Sequence, residues 1–298
     1  MLAKQFIKAT VGNALEEDLK YGDVTTEAIV SPQAKGVGCI YAKEDGVIAG
    51  LPLAEYTFKD LDGSIECVRL VEEGAHVGAG QPVMKISGRL RPLLSAERTA
   101  LNFLQRLSGI ATMTAAWVKE LEGYPVKLAD TRKTTPGLRV LEKYAVRIGG
   151  GLNHRFSLDS GILIKDNHIS AAGGIAEAVK AVRARASFVW RIEVEVTTLE
   201  HLEEALAAGV ELILLDNMDT PTIREAVQIT AGRALLEASG NIGFERLREV
   251  AATGVDFISC GALTHSYRSL DMNMLLEEGR ETGILKGGLE QNVTRSTL

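Results

Sequence analysis

Residues 190–216 read WRIEVEVTTLEHLEEALAAGVELILLD and contain one complete strand–helix–strand pattern. Residues 190–196 and 211–215 are short, mainly apolar runs of the kind that form buried strands, and residues 199–208 between them have the apolar spacing of a helix. A connection through a helix lets the two strands run in the same direction. The stretch therefore predicts two parallel strands in a sheet that helices cover.

The same alternation continues on both sides of this stretch. Further strand candidates lie at 126–129, 161–164, 234–238 and 255–259, and further helix candidates lie at 175–184, 221–230 and 244–253. Repeated strand–helix units indicate a parallel α/β sheet. A closed barrel and an open doubly wound sheet both satisfy this pattern.

The residues at the strand ends distinguish the two architectures. In a doubly wound dinucleotide-binding sheet a glycine-rich turn follows the first strand, whereas here strand 126–129 runs into Asp130-Thr131-Arg132-Lys133. Polar residues or glycines end the successive strands: Asp130, Lys165-Asp166, Glu195, Asp216-Asn217, Ser239-Gly240 and Cys260-Gly261. A site assembled from several strand ends is typical of a (β/α) barrel, which we therefore predict.

The first third of the chain has a different pattern. Residues 3–20 have helical spacing and end at a turn that contains Gly22, and residues 36–88 form short β-prone runs separated by glycines. Residues 92–113 have an apolar stripe at helical spacing. We expect a leading helix, a small turn-rich β region and a second helix before the barrel.

Composition excludes several classes of protein. The chain has 298 residues, 46% of them apolar, and a net charge of -6, which argues against nucleic acid or an anionic membrane as a partner. Its start lacks the pattern of a signal peptide and its apolar runs are too short to span a bilayer, so we expect a cytoplasmic location. The three cysteines, Cys39, Cys67 and Cys260, are widely spaced and predict neither a disulfide framework nor a metal site.

Positive charge is concentrated between Arg132 and Arg155. Six basic residues in this stretch accompany a single acidic one, Glu142. This concentration predicts a site for a small anionic ligand, although Lys143 and Arg147 could equally belong to the solvated face of a helix.

Three kinds of loop are candidates for ligand binding or catalysis. Residues 239–243 and 260–266 each place a glycine directly after a strand and before a helical segment, as in the phosphate-binding loops of barrels. Arg132 and Lys133 together offer a planar fork and a point charge for carboxylate or phosphate oxygens. Lys165 follows an apolar strand, where a role as a Schiff-base nucleophile must also be considered.

These segments closely resemble the quinolinate phosphoribosyltransferase family over nearly the whole chain. The motifs are Asp130-Thr131-Arg132-Lys133-Thr134-Thr135-Pro136-Gly137-Leu138-Arg139, Lys143-Tyr144-Ala145-Val146, Gly149-Gly150-Gly151-Leu152-Asn153-His154-Arg155, Ile164-Lys165-Asp166-Asn167-His168-Ile169, Glu193-Val194-Glu195-Val196 and Gly261-Ala262-Leu263-Thr264-His265-Ser266. The resemblance implies an incomplete (β/α) barrel of six or seven strands over 113–271. It also implies a smaller amino-terminal α+β sandwich domain over 1–112, on which the tail 272–298 packs.

The resemblance also implies which residues contact each part of the two substrates. The carboxylates of quinolinate and the phosphates would contact Thr131, Arg132, Lys133, His154, Arg155 and Lys165. Glu195 and Asp216 would hold the ribose hydroxyls of phosphoribosyl pyrophosphate and, through water, Mg²⁺. The 5′-phosphate would contact Ser239, Gly240, Asn241, Cys260, Gly261 and Ala262. The chain would form a homodimer in which Arg98 enters the partner's site, and a larger oligomer remains open.

The implied reaction transfers phosphoribosyl to quinolinate and releases carbon dioxide and pyrophosphate, as in NAD biosynthesis. The pyridine nitrogen attacks the anomeric carbon, so the protein mainly aligns the reactants and stabilises charge. The candidate catalytic residues are Lys133, Lys165, Glu195 and Asp216. Whether Lys133, Lys165 or a water returns a proton after decarboxylation stays open.

Three other functions would fit parts of this pattern. Residues 71–86 resemble part of a biotinyl or lipoyl carrier domain, but Lys85 lies on a strand rather than at a hairpin tip. A non-catalytic phosphosugar sensor would not need acidic residues at both Glu195 and Asp216. A nicotinate phosphoribosyltransferase would bind a monocarboxylate, whereas this arginine-rich site suits a dicarboxylate. A related subgroup that is encoded beside molybdate transporters has similar motifs.

Overall fold

The structure is a computed structural model that describes residues 2–277. Its amino-terminal part consists of α1 (Lys4–Leu19), α2 (Val24–Ile29), β1 (Lys35–Ala42), β2 (Gly46–Val47), α3 (Leu51–Leu61), β3 (Glu66–Arg69), β4 (His76–Val77), β5 (Pro82–Arg89) and α4 (Leu90–Glu120). The remainder consists of β6 (Lys127–Ala129), α5 (Arg139–Ile148), β7 (Ile162–Ile164), α6 (Asp166–Ala172), α7 (Ile175–Arg183), β8 (Ile192–Val196), α8 (Leu199–Ala207), β9 (Leu212–Asp216), α9 (Thr220–Thr230), β10 (Leu235–Ser239), a 3₁₀ turn (Phe244–Arg246), α10 (Leu247–Ala251), β11 (Phe257–Ser259), α11 (Ala262–His265) and β12 (Met272–Leu276).

Six parallel strands form the larger sheet, in the order β6-β11-β10-β9-β8-β7. The last of them in the chain, β11, pairs with the first, β6, with Phe257 opposite Lys127. The sheet therefore curls into a barrel, and within residues 2–277 its two edge strands, β6 and β7, do not pair. An isolated bridge between Ala129 and Leu152 extends the β6 edge. The predicted incomplete (β/α) barrel is confirmed, with six strands.

The smaller sheet is antiparallel and has the order β12-β1-β5-β3. Helices α3 and α4 bury apolar side chains against it, among them Phe58, Leu93 and Leu101. This sheet with its helices is the predicted amino-terminal α+β domain. Strand β12 is the first part of the predicted tail. It packs on this domain, because Met274 pairs with Ile40 of β1. Residues 278–298 of the tail lie outside the described residues.

Helix α3 lies in the region that the sequence predicted to be only β-structure. Gly50 has a left-handed conformation (φ 103°) and precedes the helix, and Pro52 occupies its first turn, where proline costs no hydrogen bond. Leu51, Ala54 and Phe58 then share one buried face. The prediction was wrong here because the glycines within residues 36–88 were all interpreted as separators of β-prone runs, whereas Gly50 precedes a helix.

Helix α4 connects the two parts of the molecule. Its first half packs in the core of the small domain and its second half, including Leu107 and Trp117, in the core of the barrel. The predicted boundary between 112 and 113 falls inside this continuous helix. Gly109 allows α4 to cross close to the chain after the barrel, since a Cβ there would collide with the carbonyl oxygen of Arg268. No helix within the described range is both long and apolar enough to cross a membrane.

Candidate active site

A cavity of about 470 Å³ opens at the carboxyl ends of the barrel strands. Most of the predicted site residues line it: Thr131, Arg132, Lys133, His154, Arg155, Lys165, Glu195, Asp216, Ser239, Gly240 and Asn241. They come from all parts of the barrel, and the parallel strands bring them to one edge. The structure thus brings the candidate catalytic and substrate-binding residues of one chain together.

Four predicted site residues do not line this cavity. Arg98 lies exposed on α4, in the amino-terminal domain. Cys260 is buried and its thiol donates to the carbonyl oxygen of Ile242 at 3.7 Å. Burial raises the pKa of this thiol to about 12. Its side chain therefore contributes packing rather than a contact with a ligand, because a buried neutral thiol is unreactive. Gly261 and Ala262 lie next to it, at the start of α11.

Gly261 nevertheless affects the site, because its lack of a side chain leaves space beside Lys133. A Cβ at this position would lie 2.8 Å from Cδ of Lys133 and 3.0 Å from Nε2 of His265. The missing side chain therefore makes room for the stem of Lys133. Thr264 also donates from its hydroxyl to the carbonyl oxygen of Lys133 at 2.9 Å. The loop after β11 thus positions Lys133, although its side chains do not line the cavity.

Three cations in the cavity have no anionic partner. Among residues 2–277, no carboxylate oxygen lies within 4.0 Å of a charged nitrogen of Arg132, Lys133 or Arg155. Partial burial and the nearby Arg132 lower the pKa of Arg155. A bound anion would compensate this concentration of like charge.

Acidic groups also line the cavity. Glu195 forms an ion pair with Lys165, and Asp216 accepts a hydrogen bond from the amide of Asn217 at 2.8 Å. Their strands, β8 and β9, are neighbours in the sheet. Two carboxylates beside an amide oxygen are hard oxygen donors, which suit Mg²⁺ or sugar hydroxyls.

The predicted phosphate loop after β10 is held in a tight conformation. Gly240 (φ 88°) leaves no space for a side chain, since a Cβ would lie 2.8 Å from the backbone nitrogen of Asn217. Asn217 and Asn241 both have left-handed backbones, and Asn241 donates to the side-chain oxygen of Asn217 at 3.0 Å. Strained backbone of this kind clusters at binding sites. The two strand-end loops therefore form one rigid wall of the cavity.

A buried network supports the cation-rich wall. Lys143 on α5 donates to Asp130 at 2.5 Å and to the carbonyl oxygen of His154 at 3.0 Å. Asp130 also accepts from the Asn153 amide at 2.6 Å and from the backbone of His154 at 2.9 Å. Burial raises the pKa of Asp130 and lowers that of Lys143, so the short ion pair and its hydrogen bonds must offset the loss of solvation. This network positions the loop that carries His154 and Arg155.

The two candidate helix-face residues therefore differ. Lys143 is only 3% exposed and belongs to the interior of the protein, so a solvated face is wrong for it. Arg147, one turn later on α5, is exposed.

Replacing Lys143 with alanine is expected to destabilise the fold strongly. The substitution leaves Asp130 buried without its cation, a change that costs about 3–5 kcal/mol of unfolding free energy. Urea denaturation at pH 7 measures this difference. Arg147→Ala on the same helix is the matched control and should leave the midpoint unchanged. Equal midpoints for both variants would contradict a structural role for the Asp130–Lys143 pair.

Sequence reasoning missed several residues that line the cavity. Glu237 and Ser259 face it, as do the apolar side chains of Leu163 and Leu214. A signal for Glu237 was present, because side chains two residues apart on a strand share a face and Glu237 precedes Ser239 by two. By the same alternation Glu193 shares a face with Glu195.

Two family models match the chain in sequence, the amino-terminal domain of quinolinate phosphoribosyl transferase over residues 23–108 and the carboxyl-terminal domain over residues 110–275. A nicotinate-nucleotide pyrophosphorylase [carboxylating] from Mycobacterium leprae is 46% identical, over 89% of this chain and 95% of that protein. A quinolinate phosphoribosyltransferase [decarboxylating] from Nicotiana tabacum is 40% identical, over 93% and 85%. The crystal structure of NadC from Streptococcus pyogenes superposes with a TM-score of 0.90 at 45% identity, covering 93% of this chain and 98% of that one. With both of its domains matched, the chain belongs to the quinolinate phosphoribosyltransferase family.

Proposed function

We propose that this chain transfers phosphoribosyl from phosphoribosyl pyrophosphate to quinolinate with decarboxylation, giving nicotinate mononucleotide, carbon dioxide and pyrophosphate for the synthesis of NAD. The observation that carries the proposal is the distribution of charge in one cavity. The unpaired cations Arg132, Lys133 and Arg155 and the acidic residues Glu195 and Asp216 line the same cavity. A dianionic pyridine and a phosphorylated sugar together need both kinds of group.

The geometry suits attack by the pyridine nitrogen on the anomeric carbon. Arg132 and Arg155 can hold carboxylates through their planar forks, which fixes the orientation of the ring. Positive charge develops on the ribose as pyrophosphate departs, and Glu195 and Asp216 would stabilise it. Lys165 pairs with Glu195, so it links the cationic and the acidic groups of the site. When substrate phosphates bind, they can replace Glu195 as the anionic partner of Lys165.

The donor set at Glu195 and Asp216 fits Mg²⁺ held through water. Both side chains offer carboxylate oxygens. In the described part of the chain they are separate from the one cluster that combines a histidine with two acids, His154, Glu193 and Glu237. When bound, Mg²⁺ would neutralise charge on pyrophosphate as it leaves. The residues of the chain would orient its water ligands and the ribose hydroxyls.

We propose that a second copy of the chain completes the site, with Arg98 reaching the partner's cavity. Exposed apolar side chains next to the Arg98 segment of α4 support this arrangement: Tyr21, Val24 and Ile29 are 89%, 79% and 71% exposed. Beside the cavity, Leu158 is 70% exposed. Burial of both apolar surfaces against each other would stabilise a homodimer. The cytoplasmic location, the absence of nucleic-acid and membrane partners and any larger oligomer stay predictions.

An assay with purified protein tests the proposed reaction. Formation of nicotinate mononucleotide should require quinolinate, phosphoribosyl pyrophosphate and Mg²⁺ together, with release of one carbon dioxide for each product. Nicotinate in place of quinolinate distinguishes the monocarboxylate alternative. Product from nicotinate but not from quinolinate would reject the proposal.

Neutralising the acidic pair should raise the Mg²⁺ requirement. Glu195→Gln and Asp216→Asn retain the shape of the side chains but remove the charge that attracts the hydrated cation. We expect each to increase the half-saturating Mg²⁺ concentration about tenfold, equivalent to about 1.4 kcal/mol. Titration of EDTA-treated enzyme with MgCl₂ measures the shift. An unchanged half-saturating concentration in both variants would place the metal elsewhere.

A further inference from the structure

Three titratable side chains meet at the wall of the cavity, apart from the cations and acids described so far. Nε2 of His154 lies 3.1 Å from an oxygen of Glu193 and 3.5 Å from an oxygen of Glu237. The contacting atoms all lie within 4.8 Å of one another. Glu193 and Glu237 are only 5% and 4% exposed. Neither acid has a role in the reaction as derived above.

This buried cluster needs a proton on one of its acids. Two carboxylates in contact inside a protein do not both remain ionised. One oxygen of Glu193 and one of Glu237 also lack any hydrogen-bond partner within the described residues, as expected if a shared proton is missing from the heavy-atom positions.

The proton belongs on Glu237. Burial and the neighbouring Glu193 raise its pKa to about 7, although His154 and the Ser259 hydroxyl act in the opposite direction. The thiol of Cys260 also lies near it, and burial keeps this thiol neutral. Burial lowers the pKa of His154, but the contacts with Glu193 and Glu237 outweigh this effect and raise the pKa overall.

Only one member of the cluster can pass this proton to a ligand in the cavity. Nδ1 of His154 accepts from the backbone N–H of Arg155 at 2.8 Å, and Nε2 faces the two acids. The ring therefore has no nitrogen free to reach a substrate. Glu237 lines the main cavity, whereas Glu193 lines only the smaller cavity behind it.

Charge favours Glu237 over the lysines as a donor. Lys133 and Lys165 would lose the positive charge that holds anionic groups if they gave up a proton. A neutral acid becomes a carboxylate instead, and that carboxylate faces a product ring that is a pyridinium cation. After the transfer, the negative carboxylate of Glu237 therefore stabilises the positive product ring.

We propose that Glu237 is the acid that protonates the ring carbon of quinolinate at which decarboxylation occurs. This inference rests on the proposed function. The bond from that carbon to its carboxylate breaks, carbon dioxide departs, and the electron pair stays on the ring. The O–H bond of Glu237 then breaks as the new C–H bond forms, and the carboxylate of Glu237 regains a proton from solvent.

Glu237→Gln tests the proposal, because glutamine keeps the size and hydrogen bonds of a protonated acid but transfers no proton. We expect kcat to fall about 100-fold or more, the usual contribution of a general acid, while KM for quinolinate changes little. In the unsubstituted enzyme kcat should decline above about pH 7, where Glu237 loses its proton, and this decline should be absent in the variant. Glu211→Gln, at the opposite end of the barrel, is the matched control.

The outcomes separate this proposal from the proposed function. An unsubstituted enzyme without quinolinate-dependent activity would refute the function itself. An active enzyme whose Glu237→Gln variant keeps its kcat, or only raises KM, would overturn the role of Glu237 as proton donor. If this variant does not fold, Glu237→Ala with added acetate replaces it. Rescue that increases with the protonated fraction of acetate supports the proposal, and absence of rescue overturns it.

Discussion

Lys165→Ala is expected to reduce kcat/KM for quinolinate about 1000-fold, which corresponds to about 4 kcal/mol of lost transition-state stabilisation. Lys165 directly follows β7 and lines the cavity, where its ammonium contacts Glu195. Its removal takes away a cation that stabilises negative charge on the departing pyrophosphate or the reacting ring. It also leaves Glu195 without its partner. Steady-state kinetics with saturating Mg²⁺ measure the loss.

Lys180→Ala is the matched control for this experiment. Lys180 is exposed on the outer helix α7 and should be replaceable without loss of activity. Borohydride treatment in the presence of both substrates addresses the Schiff-base alternative, which predicts a stable adduct on Lys165. Our proposal predicts an unchanged intact mass. A Lys165→Ala variant within threefold of full activity would exclude a direct role for this lysine.

Mixed dimers should recover activity from two inactive variants. Arg98→Ala removes the residue proposed to enter the partner's cavity, and Lys165→Ala removes a residue of the cavity itself. Each variant alone should be inactive. When equal amounts are unfolded and refolded together, half of the dimers contain one chain of each kind, and each such dimer has one intact site, so about a quarter of the sites should work.

The location of Arg98 makes this a stringent test. Arg98 is exposed on α4 and does not line the cavity of its own chain. An effect within one chain predicts no recovery, because every cavity then lacks either Lys165 or its own Arg98. Refolding of the two variants separately is the control. Inactive mixtures that contain heterodimers, as shown by mass-tagged chains, would refute the trans arrangement.

Predictions that rest on local pattern agree well with the structure. The six barrel strands lie within two residues of the predicted runs, because a buried parallel strand is a short apolar segment bounded by polar residues. The residues directly after those strands, such as Asp216 and Ser239, could be assigned to one edge of the sheet since parallel strands end together. The error at α3 also has a local cause, as Gly50 is compatible with either a turn or a helix start.

Burial and pairing depend on contacts between distant parts of the chain. Lys143 and Arg147 look alike in the sequence, yet only Lys143 meets a carboxylate from a distant segment, that of Asp130 after β6. Glu193 and Glu237 come from different strands, with β9 between them, and their contact arises because the sheet curls.

The sequence alone determined the barrel, its site edge and the family motifs, because these follow from periodicity and from residues that are neighbours in the chain. Only the tertiary structure decided which side chains lose water and which charges come together. It placed Asp130 with Lys143, and His154 with two buried acids. The physical reason is that desolvation and charge interactions depend on distances in space, which the spacing of residues along a chain does not specify.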